Sequence, residues 1–291
     1  MNQHNHQTAP TQFVEAAGVR FAYRRFGKPG GVPLVFNMHF TGTMDHWDPL
    51  VTDGLAATRE VILFNNAGIS SSSGEVPATF EEMGANAIAF IRALRLKQVD
   101  VLGFSIGGFV AQEITLQAPE LVRRLVLVGT GPRGGQNMAT LTPEAQQIFG
   151  ATYKVPEELW LKVHFTDSEA SQAAGRKFLK RFLRRTENRD PEVNEKVAPA
   201  QIEAIGKWGA QREGSGEGSY DYLKNILQPT LVINGDNDVI IYSINSWILQ
   251  QNIPNAQLII YPDASHGSQY RYPARFVRHV SEFLSEEGSS S

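Results

Sequence analysis

Short apolar runs alternate with helical patterns along most of the chain. Gln12–Ala16 and Val19–Arg25, split by Gly18, read as a hairpin, and Pro33–Met38, Glu60–Phe64, Gln98–Phe104 and Arg123–Val128 read as further strands. Between them, Phe80–Leu94 carries a helical period behind a capping box of Thr79 and Glu82. Phe109–Gln117 is another helix, stopped by Pro119. Thr230–Asn234, a helix near Ile244–Leu249, Gln257–Tyr261 and a helix from Ala274 resume the alternation near the end. Such alternation predicts an α/β fold, a mostly parallel sheet covered by helices on both faces.

The alternation lapses between Gly131 and Ile226, where the pattern is helical and polar, with Trp160, Phe165, Phe178, Phe182 and Trp208 spaced through it. The loose stretch EGSGEGS (213–219) lies near its end. The expected organisation is therefore one core, residues 12–130 and 227–285, interrupted by a helical cap over 131–226. Residues 1–11 read as a disordered lead and 286–291 as a frayed tail. RKFLKRFLRR (176–185) has apolar residues at helical spacing with basic ones between, the pattern of an amphipathic helix with a solvated face and not of a nucleic-acid site.

Composition narrows the partners. The chain has 291 residues and a formal charge of −3, so no strong positive field is available for nucleic acid or an anionic membrane surface. The absence of cysteine removes disulfides, thiolate metal sites and a cysteine nucleophile. The start MNQHNHQTAP lacks an apolar segment of signal-peptide length, and no later run approaches a membrane span, which makes a cytoplasmic protein the expectation. Nothing in the sequence bears on oligomeric state.

The chemistry centres on VDVLGFSIGGFVAQEI (99–114). A buried strand turns sharply into a helix, with one serine, Ser105, at the bend between glycines. A tight packing turn would account for the glycines but not for the hydroxyl. The following helix aims amide N–H groups and a positive dipole at the same spot. A serine attacks only when a base takes its proton, so a histidine and an acid are required downstream. GDND (235–238) and PDASHG (262–267) supply both, each in a loop just past a strand. His164 lies in the cap and His279 on the last helix, where packing or surface roles are the ordinary expectation.

These residues resemble the α/β-hydrolase superfamily from about Gln12 to Leu284. The chain is most similar to small bacterial esterase-like members, including cofactor-free haloperoxidase and enol-lactone hydrolase relatives. GFSIGG (103–108), the Gly-x-x-Asp of GDND and SHG (265–267) carry the likeness. The resemblance implies Ser105 as nucleophile, Asp238 as acid and His266 as base, with Asp236 the alternative acid and Asp263 a weaker one. It also implies an oxyanion hole from the amide of Ile106 and one from the loop HFTGTMDHWDP (39–49). There Phe40 occupies the family's glycine slot. Aligning on His39 and Trp47 puts the donor at Thr41, with Phe40 serving if the loop is shifted; His39 is read as ordering the loop. NNAGISSSSG (65–74) replaces the family's Asp-x-x-Gly-x-Gly-x-Ser loop, with Asn65 in the place of its acid.

The expected function is a serine hydrolase acting on a small-molecule ester or lactone through an acyl-enzyme, with no cofactor and no metal. Carbon–carbon bond hydrolysis of a diketone-like substrate by the same triad is the alternative within enzymes, and a non-catalytic ligand-binding receptor is the alternative outside them. Trp160, Phe165, Phe182, Trp208 and Tyr242 are the candidate pocket residues.

Overall fold

The computed structural model describes residues 4–210 and 220–286. Eight strands, β1 (Gln12–Ala16), β2 (Val19–Gly27), β3 (Leu34–Asn37), β4 (Glu60–Phe64), β5 (Val99–Phe104), β6 (Val122–Val128), β7 (Thr230–Gly235) and β8 (Ala256–Tyr261), form one sheet in the order β1-β2-β4-β3-β5-β6-β7-β8. The hairpin edge pairs antiparallel, through β2 onto β4, and every pairing from β4 to β8 is parallel. The strands from β3 to β8 therefore end at one common edge.

Helices connect and cover these strands: α1 (Pro49–Ala56), α2 (Phe80–Ala93), α3 (Ile106–Gln117), α4 (Pro143–Gly150), α5 (Pro156–His164), α6 (Glu169–Phe182), α7 (Val197–Ala210), α8 (Ile244–Asn252), the short α9 (Ser268–Arg271) and α10 (Pro273–Ser285). Side chains on a strand alternate between faces, so each strand feeds two cores. Val35, Ile62 and Val101 pack with Phe90 of α2 and Ile114 of α3. Phe36, Leu63 and Leu102 pack on the other face with Val51 of α1 and Phe276 of α10. Asp48 caps α1, its side chain accepting from the Leu50 amide ahead of Pro49. Apolar periodicity does not predict that helix, because it is short and carries Gly54. Helix α3 starts at Ile106, three residues earlier than its apolar periodicity indicates, because the strand turns into it without a loop.

Helices α4 to α7 lie between β6 and β7, where the strand–helix alternation lapses in the sequence. EGSGEGS falls outside the described residues. The basic stretch of α6 is only partly solvated. Arg181 donates two hydrogen bonds to the buried Asp48 carboxylate, and Arg185, just past the helix, is 4% exposed.

The polar lead, expected to be disordered, is packed from residue 5 onward. Asn5 accepts the amides of Gln7 and Thr8, His6 is 2% exposed, and the His6 amide donates to Asp53 at 2.7 Å. Arg185 donates to the carbonyls of His6, Gln7 and Ala9. A buried guanidinium needs acceptors, and the backbone of this lead supplies three that its side chains do not advertise. Of the tail expected to fray, Glu286 is the described residue, and its carbonyl accepts from Arg124 at 2.7 Å.

Candidate active site

Ser105 follows β5 with φ 57° and ψ −125°, a conformation that few residues other than glycine adopt. Its amide donates to Val128 of the neighbouring strand at 2.9 Å. The turn exists because its neighbours lack side chains. A Cβ on Gly103 would lie 2.1 Å from the Gly107 carbonyl oxygen, and one on Gly107 would lie 2.2 Å from that of Asn37. The serine is 4% exposed at the carboxyl edge of the sheet.

The loops after β7 and β8 reach the same edge. Asp238 Oδ1 accepts the amides of Ile240 and Ile241 at 2.9 and 3.0 Å, and Oδ2 lies 2.9 Å from His266 Nδ1. A carboxylate can only accept, so Nδ1 carries the ring hydrogen and Nε2 is left with its lone pair. The His266 ring packs on Phe104, next to Ser105 in sequence, with centroids 4.9 Å apart. The other two carboxylates are engaged elsewhere. Asp236 accepts from the Ala264 amide and the Asn237 side chain, supporting the turn. Asp263 is held by Thr166, Ser168 and Arg271.

After β3 the chain makes a turn closed by the Gly42 amide on the His39 carbonyl at 3.0 Å, with Thr41 at φ 52°. His39 Nδ1 and Thr41 Oγ1 both donate to the Phe40 carbonyl at 2.8 Å, so His39 orders this loop as expected. The Thr41 amide donates to Gln201 Oε1 of α7 at 2.7 Å. Of the two loop amides expected as alternative oxyanion donors, that of Thr41 is thus engaged by the insertion. A cavity of about 40 Å³ beside this loop is bordered by Asn37, His39, Ile106 and Gln201. In the 65–74 loop, Asn65 Oδ1 accepts from the Met44 amide and its carbonyl from Ser72 Oγ, a purely structural use of the altered position.

Three further histidines crowd the site. The ring of His164 stacks on His266 at 5.8 Å, and His39 stacks on His46 at 5.7 Å. Burial pushes His39 down to about 3 and His46 down to about 4, and holds His164 well below the ordinary histidine value. All three are thus neutral at physiological pH. His46 Nδ1 accepts the Thr43 amide, the opposite tautomer from His39. Among the described residues, no group of three or more histidine or acidic side chains is disposed to hold a metal ion.

The insertion meets this cluster through α5 and α6. Half-buried Trp160 packs 5.4 Å from both His39 and His46, and Phe182 stacks on His46 at 5.2 Å. Val163 and His164 carbonyls accept from Ser265 Oγ and the Gly267 amide, tying α5 to the His266 loop. Three pocket candidates lie elsewhere. Trp208 is 1% exposed and stacks on Phe109 in the opposite core layer. Phe165 borders an outer groove of about 560 Å³ with Thr166, Asn237 and Asp263. Tyr242 bonds Glu144 at the surface, because the chain runs outward after its amides at 240 and 241 have closed on Asp238. No sequence pattern singles out His46 or Gln201. Only the position of Gln201 in the insertion could have hinted at it, and no local motif marks it.

A strained serine elbow after the central strand, with an acid and a histidine on later strand ends, defines a class of hydrolases built on parallel sheets. The chain belongs to the alpha/beta hydrolase fold family, whose model matches residues 32–271. It is 38% identical to an alpha/beta hydrolase fold protein from Chitinophaga pinensis, with a TM-score of 0.90 over 98% of this chain and 100% of that one. A poly(3-hydroxyalkanoate) depolymerase of Ectopseudomonas oleovorans is 30% identical over 86% of this chain and 83% of its own length. A 2-hydroxymuconate semialdehyde hydrolase of Pseudomonas putida is 28% identical over 79% of this chain and 78% of its own. No described helix is long and apolar enough to cross a membrane.

Proposed function

We propose that the protein is a serine hydrolase that cleaves an uncharged carboxylic ester or lactone through an acyl-enzyme on Ser105. The observation that carries this reading is the Asp238–His266 pair, bonded at 2.9 Å and buried at the strand edge where the Ser105 elbow stands. His266 Nε2 takes the hydroxyl proton as Ser105 Oγ attacks the carbonyl carbon. The imidazolium so formed is stabilised by Asp238. The oxyanion is received by the amides of Ile106, at the start of α3, and Phe40. Collapse expels the alcohol, protonated by His266, and a water activated by the same nitrogen then releases the acid. The insertion acts as a cap that keeps bulk water from this edge, with Trp160 as its wall nearest the histidines.

Carbon–carbon bond hydrolysis by the same three residues is the second reading, in line with the 28% identical semialdehyde hydrolase. It is less favoured because no arginine or lysine borders the cavity beside Ile106, and the surrounding histidines are neutral, so a carboxylate-bearing diketone would lack a cationic partner there. Labelling with a fluorophosphonate, followed by turnover of p-nitrophenyl esters of graded acyl length and a set of lactones, tests the proposal. Labelling at Ser105 with ester turnover is expected. A chain that takes no label would instead be a binding module on this fold.

A further inference from the structure

The peptide joining Phe40 and Thr41 is held at both ends. Its carbonyl oxygen accepts from His39 Nδ1 and from Thr41 Oγ1, each at 2.8 Å, and its N–H donates to Gln201 Oε1 at 2.7 Å. Thr41 has φ 52°, in the left-handed region that a β-branched residue rarely enters. Its own turn offers that amide no acceptor, since the turn bond runs from Gly42 to His39. A residue in such a conformation persists only where its surroundings over-determine it. The acceptor that does so here comes from the insertion, on α7, and is 5% exposed. Gln201 also borders the cavity that Ile106 borders.

We propose that Gln201 is a positioning residue for the oxyanion loop: by accepting the Thr41 amide it fixes the Phe40–Thr41 peptide, so that the Phe40 amide is presented to the same oxygen as the Ile106 amide. This role rests on the serine-hydrolase reading. It makes the oxyanion hole a joint product of core and insertion, competent only while α7 is seated.

The test compares two variants of the full chain. Gln201→Met keeps the length of the side chain and removes the acceptor, whereas Gln201→Glu keeps a carboxyl oxygen in the same place. On p-nitrophenyl acetate, Gln201→Met should lose about tenfold or more in kcat with KM nearly unchanged, somewhat less than the 10²–10³-fold cost of deleting an oxyanion donor outright. Affinity for a phenylboronic acid, which forms a tetrahedral adduct on the serine, should fall by the same factor. Gln201→Glu should recover most of the rate where its buried carboxyl is protonated and lose it as rising pH ionises that carboxyl, while the pH profile of Gln201→Met keeps its shape. A Gln201→Met enzyme as fast as wild type overturns the role. One that is faster shows instead that Gln201 plugs a hole in which Thr41 is itself the donor. A Gln201→Glu enzyme as slow as Gln201→Met at every pH also overturns it. Should Gln201→Met fail to fold, Gln201→Asn withdraws the same acceptor by one methylene and is read in the same way. A wild-type chain that neither labels at Ser105 nor turns over an ester overturns the hydrolase reading, and this role with it.

Discussion

The Asp238 carboxylate is shared between two duties: one oxygen accepts the amides of Ile240 and Ile241, and the other accepts His266 Nδ1 at 2.9 Å. The backbone bonds fix the carboxylate, and the carboxylate fixes the tautomer of the ring. Asp238→Asn keeps the shape but offers the ring an amide. A fall in kcat of about 10³–10⁴-fold is expected on the triad precedent. Asp236→Asn, which touches only the turn, should stay within about threefold of wild type. Steady-state kinetics on one ester decides the matter. The reverse ranking would assign the acid to Asp236.

Ser105 can be replaced in two informative ways. Ser105→Ala and Ser105→Gly both remove the attacking oxygen, and each should lose on the order of 10³-fold or more in kcat. Their stabilities should differ. At φ 57° glycine escapes the clash that any Cβ meets, so Ser105→Gly should be the more stable of the two by about 1 kcal/mol. Denaturant melts of the pair check this. Equal stability would mean the elbow stores no backbone strain.

The buried histidines give stability a pH dependence whose sign can be worked out. His6 and His39 are pushed down to about 3 and His46 to about 4, from an ordinary 6.5, each chiefly by burial. Below pH 6.5 the unfolded chain binds protons that the folded chain refuses. Stability is therefore complete above that value and is lost as pH falls toward 4, by about 1.4 kcal/mol per pH unit for each histidine. Asp53, Asp100 and Asp190, raised by burial, act in the opposite sense. The contribution of one histidine is isolated by His46→Gln, which should reduce the dependence of the melting free energy between pH 5 and 6.5 by about one proton. An unchanged slope would falsify the assignment.

The aromatic side chains of the insertion should divide into two groups. Trp160 stands beside His39 and His46, and Trp160→Ala should shift the preferred acyl length through KM while kcat for acetyl esters changes little. Trp208 is stacked on Phe109 at 4.8 Å in a closed core, so Trp208→Ala should cost about 3–5 kcal/mol and leave the chain-length profile alone. The ester series and a melt of each variant check both. A Trp208 variant that folds normally with an altered profile would place the pocket on the other side of the sheet.

What could be read from the chain, and what could not, follows from how far each signal reaches. The strands and α2 announce themselves because burial repeats within a few residues, and the elbow does so because Gly103, Ser105 and Gly107 must adjoin. Asp238 and His266 are legible because parallel strands bring their following loops to one edge. His164 was visible only as a histidine in the insertion, since its stacking on His266 depends on how α5 docks. Gln201 and Thr41 are 160 residues apart, and nothing local to either encodes their hydrogen bond. Tyr242, adjacent to the acid loop in sequence, turns away from it because that loop closes on backbone amides. The buried His6 shows the same limit, for a polar segment can be buried when another part of the chain needs its carbonyls.

Arg185 bears on the order in which the molecule comes together. Its bonds to His6, Gln7 and Ala9 join positions 176 to 179 residues apart, among the longest loop closures in the chain. Such contacts form late, because the entropy of closing so long a loop must be met before they contribute anything. The amino-terminal lead thus works as a latch on the residues that follow α6. A chain lacking residues 1–9 should keep its sheet, while the amides of α6 exchange hydrogen at least about tenfold faster than in the full protein. Exchange rates left unaltered would show that α6 is held by Asp48 and its own packing alone.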